Sequence, residues 1–223
     1  MNRSFGIPEF VYLLAALRWT LLLSLVAFLG GGAVGFVIAI LRTTHSRILR
    51  LLTAGYIQLF QGTPVLMQLF LFYYGLAVLY DMQVDAWPAV ALAFTLYAGA
   101  FLGEIWRGSI QAIPRTQWEA SACLSLGYIE QLRFVILPQA MRISIPPTVG
   151  FLVQLIKGTS IAAIIGFVEL TRAGQLIVNV TFQPMLVYPI VAALYFAVCW
   201  PLSLLSRSLE RRIDADLGIK RHL

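Results

Sequence analysis

The sequence predicts an all-α membrane protein with five transmembrane helices, on three observations: long charge-free apolar runs, short loops of uneven charge between them, and a composition that no soluble domain can bury. Hydrophobic residues fill 60% of the 223 positions and charged residues only 12%, too few to give an apolar core a polar surface. Crossing the roughly 30 Å hydrocarbon layer takes about 20 apolar residues in a helix, which satisfies its own backbone groups. Trp19 to Leu41, Leu51 to Tyr80, Ala86 to Gly103 and Ala173 to Ser206 reach that length without a charge. Ile143 to Val168 does so with Lys157 as its only interruption.

Taken in order, Pro8 to Leu17 is too short to span, so residues 1–18 are expected to form an extracytoplasmic interfacial segment, with Arg18 and Trp19 at headgroup level. The first span is longer than the roughly 7 to 15 apolar residues of a cleaved signal and lacks a small-residue cleavage site, so it is read as retained. Residues 19–206 make the five-helix domain, including a long loop at 108–142, and 207–223 a basic tail. Gly30, Gly31, Gly32 and Gly35 fit tight packing of span one on a neighbour. Trp19, Tyr80, Trp87 and Trp200 fall near span ends, where amphipathic rings collect.

Orientation follows from Lys and Arg, which stay cytoplasmic in short loops. Arg42, Arg47 and Arg50 follow span one; Arg107, Arg115, Arg133 and Arg142 lie between spans three and four; Arg207, Arg211, Arg212, Lys220 and Arg221 close the chain. The alternate loops offer Asp81, Asp85 and Glu169 against the single base Arg172. The N-terminus is therefore expected outside and the C-terminus in the cytoplasm. The net charge of +6 then belongs to loops facing anionic headgroups rather than to nucleic-acid binding. Cys123 falls in a cytoplasmic loop and Cys199 inside a span, an arrangement that disfavours a disulfide. His45 and His222 are isolated from any second ligand at metal spacing, and no metal site is expected. Lys157-Gly158-Thr159-Ser160 lacks the upstream glycine and strand of a phosphate-binding loop, so no nucleotide is expected to bind this chain.

The loop at 108–142 carries helical punctuation of its own. Pro114 precedes Thr116-Gln117-Trp118-Glu119, a capping-box pattern that places a helix start at Thr116. Small residues follow, Ala120, Ser121, Ala122 and Cys123, and Gly127 permits a turn. From Tyr128 the apolar residues Ile129, Leu132, Val135 and Ile136 resume a helical pattern that Pro138 is expected to end. A self-packed hairpin and a thin helix that lies against a partner surface both fit.

Glu119-Ala120, with Ile136-Leu137-Pro138-Gln139-Ala140 downstream, resembles the EAA loop of importer permeases of the ATP-binding cassette class. Gly62-Thr63-Pro64, Gln68-Leu69-Phe70, Glu104-Ile105, Arg107-Gly108, Ile113-Pro114, Lys157 with Thr159-Ser160, and Glu169-Leu170-Thr171-Arg172-Ala173-Gly174 are similar, in order and spacing, to the polar amino acid branch of that family. The likeness runs from about Tyr12 to Arg207. It implies a type I importer permease of the bacterial inner membrane: a pore-forming subunit, not an enzyme, that carries a polar amino acid by alternating access. It also implies a second permease chain, identical or similar, two cytoplasmic ATPase subunits that bind the ATP and Mg, and an extracytoplasmic solute-binding protein. Glu119, Ala120, Ser121, Ser125, Gly127 and Tyr128 would then form the coupling helix and turn that contact the ATPase, with Thr116 and Pro138 shaping them. The chain departs from the family pattern at Ser125, where glycine is usual, at Gln58 and Gln61, where Glu and Arg are usual, and at Gly158, where an acid is usual.

Polar groups inside spans are the candidate substrate pathway, because a zwitterionic solute needs partners for both charges. Gln58, Gln61, Thr63, Lys157, Thr159, Ser160 and Glu169 are the candidates; Pro64 is expected to unwind its helix and offer carbonyls. Lys157 fits either a gate or a side chain that snorkels to the interface. Glu104 and Arg107, one turn apart, fit a structural ion pair or a ligand site, the first favoured. The alternatives to an importer are a secondary amino acid transporter, against which stands the lack of an inverted repeat, and a membrane scaffold subunit. A membrane enzyme would need convergent catalytic groups within the spans, and none is present.

Overall fold

The computed structural model describes residues 4–44, 46–81 and 85–216, all helix, turn and connector. His45, His222, Lys220 and Arg221 lie outside the described residues. Helix α1 runs Ile7–Thr43, α2 Arg47–Gly62 and α3 Val65–Phe70; a π-helical turn, Leu71–Gly75, leads into α4, Leu76–Tyr80. Helix α5 is Ala86–Gln111, α6 Arg115–Cys123 and α7 Tyr128–Glu130. A second π-helical segment, Gln131–Ile136, joins α7 to α8, Leu137–Gly158, and a 3₁₀ segment covers Thr159–Ile165. Helices α9, Leu170–Thr181, and α10, Pro184–Asp216, complete the chain.

Among the described residues, Ile7–Thr43, Ala86–Gln111, Tyr128–Ile165 and Pro184–Ile213 are each long and apolar enough to cross a bilayer. The pair Arg47–Gly62 and Val65–Leu79, bent by 102°, makes a fifth if it counts as one broken span. The break falls at Thr63-Pro64, where the proline has no N–H to donate and its ring crowds the turn before it.

Two boundaries differ from the sequence expectation. The first helix begins at Ile7, not Trp19, because Leu13 and Ala16 are buried against Leu170, Ala173, Ile177, Val187 and Val191 of α9 and α10. The stretch expected as one span from Ala173 to Ser206 is split: Phe182 takes a left-handed φ of 55° and Pro184 starts a new helix. Ala173 to Thr181 therefore belongs to the separate, amphipathic α9.

The packing of α1 on α5 rests on facing small residues. A Cβ on Gly31 would lie 2.4 Å from that of Ala98, and one on Gly35 2.8 Å from the backbone N of Gly103. Gly99 and Gly103 are as tightly met by Val34 and Ile38. The close approach expected from the glycine-rich first span is thus made by α1 and α5, as small residues permit between membrane helices. A central core of Leu23, Ala27, Val90, Phe94, Leu102, Phe151 and Leu155 joins this pair to α8.

Candidate functional site: the α6–α7 hairpin and the polar groups of the spans

Helix α6 starts two residues earlier than the capping box predicts. Pro114 occupies the N-cap position and no side chain caps the helix, so Thr116, exposed, lies within the first turn. Proline's fixed φ, here −55°, sets the entry to the helix. The reciprocal carboxylate bond sits instead at the next helix, where Glu130 Oε2 accepts from the Gly127 N–H at 2.9 Å.

The turn after α6 is made at Ser125, not Gly127. Ser125 has a φ of 61°; its N–H donates to Ala122 O at 2.9 Å, and that of Leu126 to Ser121 O at 3.4 Å, the paired bonds of a helix closed by a left-handed residue. Gly127 is extended, with φ −67°. Serine thus occupies the backbone position where glycine is usual.

Pro138 does not end the following helix. The chain stays helical from Tyr128 to Ile165, because the wider π turn at Gln131–Ile136 takes up the mismatch just before the proline, which sits in the first turn of α8. Leu132 and Ile136 are buried, whereas Ile129, expected on the same face, is 76% exposed.

These elements fix the hairpin to the bundle. Trp118 stacks on Tyr128, centroids 6.0 Å apart at 17°, and the Tyr128 hydroxyl donates to Thr43 O at the end of α1, 2.8 Å away. Gln139 Nε2 reaches Gln117 Oε1 at 3.3 Å. Ile110, Ile113, Leu132, Ile136, Ala39 and Ala140 pack beneath. Ser121 faces inward and donates to Trp118 O; Glu119 and Ala120 are exposed.

The polar residues of the spans divide. Gln61 Nε2 donates to Ala100 O at 3.3 Å, tying α2 to α5, while Gln58 is exposed. Two carbonyls at the Pro64 break are covered: the buried Gln68 donates from Nε2 to Phe60 O at 2.8 Å and Thr63 O at 3.2 Å, and to the Thr63 hydroxyl at 2.8 Å. Gln68, named in the sequence as part of a family-like motif, is the residue that bridges the break. Its position one turn beyond the proline was the available signal.

Glu104 and Arg107 form an ion pair, Arg107 Nε donating to Glu104 Oε2 at 2.8 Å, and Gln111 also accepts from the guanidinium. Glu169, 0% exposed, is the N-cap of α9, accepting from the N–H groups of Thr171 at 2.9 Å and Arg172 at 2.8 Å and from the Tyr195 hydroxyl at 2.7 Å. Its carboxylate thus closes the start of α9. Thr159, also fully buried, donates to Ile156 O at 2.7 Å where α8 passes into the 3₁₀ segment. Lys157 and Ser160 remain open, on a cleft of about 600 Å³ that they line with Tyr195, Trp200, Ser203 and Arg207. Gln58, Gln61 and Thr63 do not line it.

Among the described residues the chain is a helical bundle with one broken pair of helices and an exposed two-helix hairpin, the architecture of a multi-span membrane protein. The chain belongs to the family of binding-protein-dependent transport system inner membrane components, which matches residues 31–217. It is 38% identical over 197 residues to the L-cystine transport system permease protein TcyB of Bacillus subtilis, covering 88% of this chain and 84% of that one. It is 33% identical to the probable amino-acid ABC transporter permease protein YckA of the same organism (95% and 93% covered) and 32% identical to the glutamine transport system permease protein GlnP of Escherichia coli (92% and 94%). Among solved structures it resembles an amino acid ABC transporter crystallised with histidines, with a TM-score of 0.85 at 31% identity, covering 94% of this chain and all of that one. The methionine transporter MetNI, at a TM-score of 0.73 and 16% identity, shares the fold.

Proposed function

We propose that this chain is the pore-forming subunit of an ATP-driven importer that moves a polar amino acid across the bacterial inner membrane. In this reading a second permease chain completes the pore, two cytoplasmic ATPase subunits bind ATP and Mg, and an extracytoplasmic binding protein delivers the solute. The observation that carries it is α6, a short helix whose Glu119 and Ala120 are exposed while Trp118, Tyr128 and Gln139 anchor its other side. An ATPase moves a permease only through a contact whose free energy differs between its open and closed states, and an anchored helix passes such a difference on to the spans behind it. The N-terminus lies outside and the hairpin in the cytoplasm, which the run of basic residues at Arg42, Arg47, Arg50, Arg107 and Arg115 supports.

A polar amino acid as cargo rests on the amino-acid, cystine and glutamine transporters among the relatives and on the cleft at Lys157. That cleft carries Lys157, Arg207 and hydroxyls and no acid among its lining residues, which suits a carboxylate. Gln61 and Thr63 bond within the broken span and to α5, while Gln58 stays exposed.

Replacing Glu119 by Lys in the reconstituted complex is expected to lower uptake and substrate-stimulated ATP hydrolysis at least tenfold, with insertion and assembly intact. Normal uptake with normal stimulation would overturn the coupling assignment. Lys157→Met is expected to weaken half-saturation for the carried amino acid without lowering unstimulated hydrolysis; unchanged half-saturation removes Lys157 from the pathway.

A further inference from the structure

At the end of the bundle where α1 and α5 leave their spans, Arg42, Arg50 and Arg115 converge on one cleft of about 400 Å³, with Trp118, Tyr128 and Ile113 among its walls. The arginines come from three separate places in the chain: the end of α1, the start of α2 and the first residue of α6. Among the described residues no carboxylate lines the cleft. Glu104 acts on Arg42 electrostatically, but its oxygens are held by Arg107. Among the described residues neither Arg50 nor Arg115 enters an ion pair. The neighbouring hydroxyls contribute no donor, since Thr43 and Thr44 donate to Ile40 O and Leu41 O at 2.8 Å. What the cleft presents is concentrated guanidinium charge, and guanidinium forks match phosphate oxygens in geometry.

A charged cleft at the end of two spans lies at headgroup depth, where a stacked Trp and Tyr are also at home. Basic pockets between membrane helices take anionic lipid headgroups. We propose that this cleft binds the phosphate of an anionic phospholipid. Because Arg115 and Trp118 belong to α6 and Arg42 and Arg50 to α1 and α2, one headgroup spans the joint between the hairpin and the bundle. The lipid thereby fastens the root of α6.

The test uses the intact complex purified from native membranes and studied by native mass spectrometry, with phosphatidylglycerol and phosphatidylcholine vesicles as lipid sources. The expected result is one phosphatidylglycerol retained per copy of this chain, in preference to phosphatidylcholine, with affinity falling roughly fivefold in Arg50→Gln and again in Arg115→Gln. Arg211→Gln and Arg212→Gln, in α10, should leave retention unchanged. Because a variant can fail to assemble, a photoreactive phosphatidylglycerol is also applied to the unaltered complex and should label residues 42–52 or 110–118. Equal loss in the α10 variants, unchanged retention in both cleft variants, labelling elsewhere, or equally tight binding of glycerol 3-phosphate without lipid would each overturn the proposal. Retention is read without transport, so the importer assignment and the lipid site stand or fall separately.

Discussion

Ser125 holds a backbone conformation that costs an ordinary L-residue about 1–2 kcal/mol and glycine far less, at φ 61° between α6 and α7. Ser125→Gly should therefore stabilise the hairpin by up to about 1 kcal/mol, seen as slower amide exchange across residues 115–128 of the purified complex; faster exchange would contradict the strain. Glu169 makes the opposite kind of case. Three groups donate to its buried carboxylate, so Glu169→Ala loses a cap of about 0.5–2 kcal/mol and leaves buried donors unpaired. The thermal midpoint of the complex should drop, less so for Glu169→Gln, while uptake per folded transporter holds. A loss of uptake in a Glu169→Gln protein of normal stability would return this residue to the pathway. Both roles were hidden in the sequence, since neither a left-handed serine nor a carboxylate that caps a helix leaves a local pattern distinct from a turn serine or an intramembrane acid.

At the scale of elements, the apolar runs gave α1, α5, α8 and α10 because length and composition alone decide which helices can cross lipid. Breaks and joins were less legible. Pro64, Pro138 and Pro184 look alike in sequence, yet the first bends the chain by 102°, the second is absorbed by a π turn and the third opens a helix after the left-handed Phe182. What differs is tertiary: Gln68 covers the carbonyls at the first, and Leu132 and Ile136, buried under α6, hold the second in line. The glycines of α1 were read correctly as a packing surface, although their partner, the glycine-bearing face of α5, emerged only in three dimensions. Gly31→Val and Gly35→Val are expected to abolish accumulation of the permease in membranes, whereas Gly55→Ala, which meets nothing within 4 Å in this chain, should be tolerated. Normal accumulation of Gly35→Val would mean that α1 and α5 do not need their close approach.

For the whole molecule, sidedness is the property most easily checked with the protein's own chemistry. Cys123 is exposed on α6 and Cys199 is buried within α10. A membrane-impermeant maleimide should label Cys123 in inverted vesicles but not in intact cells, and the ATPase should shield it when the complex is assembled. Labelling from outside intact cells would invert the topology. The charge asymmetry of the loops is what predicts this orientation, while the anchoring of α6 through Trp118, Tyr128 and Thr43 was not legible, because those residues are 10 and 85 positions apart.

The unbroken run from Tyr128 to Ile165 holds 38 residues, a beam on the order of 55 Å long. Swinging such a beam by about 5° around its middle shifts each tip by about 2 Å, in opposite directions. A hairpin pushed at one membrane face would thus displace the far tip, beside Gly166, without any relay of side chains in between. Had Pro138 cut the run where it stands in the sequence, that gearing would be lost at its first joint.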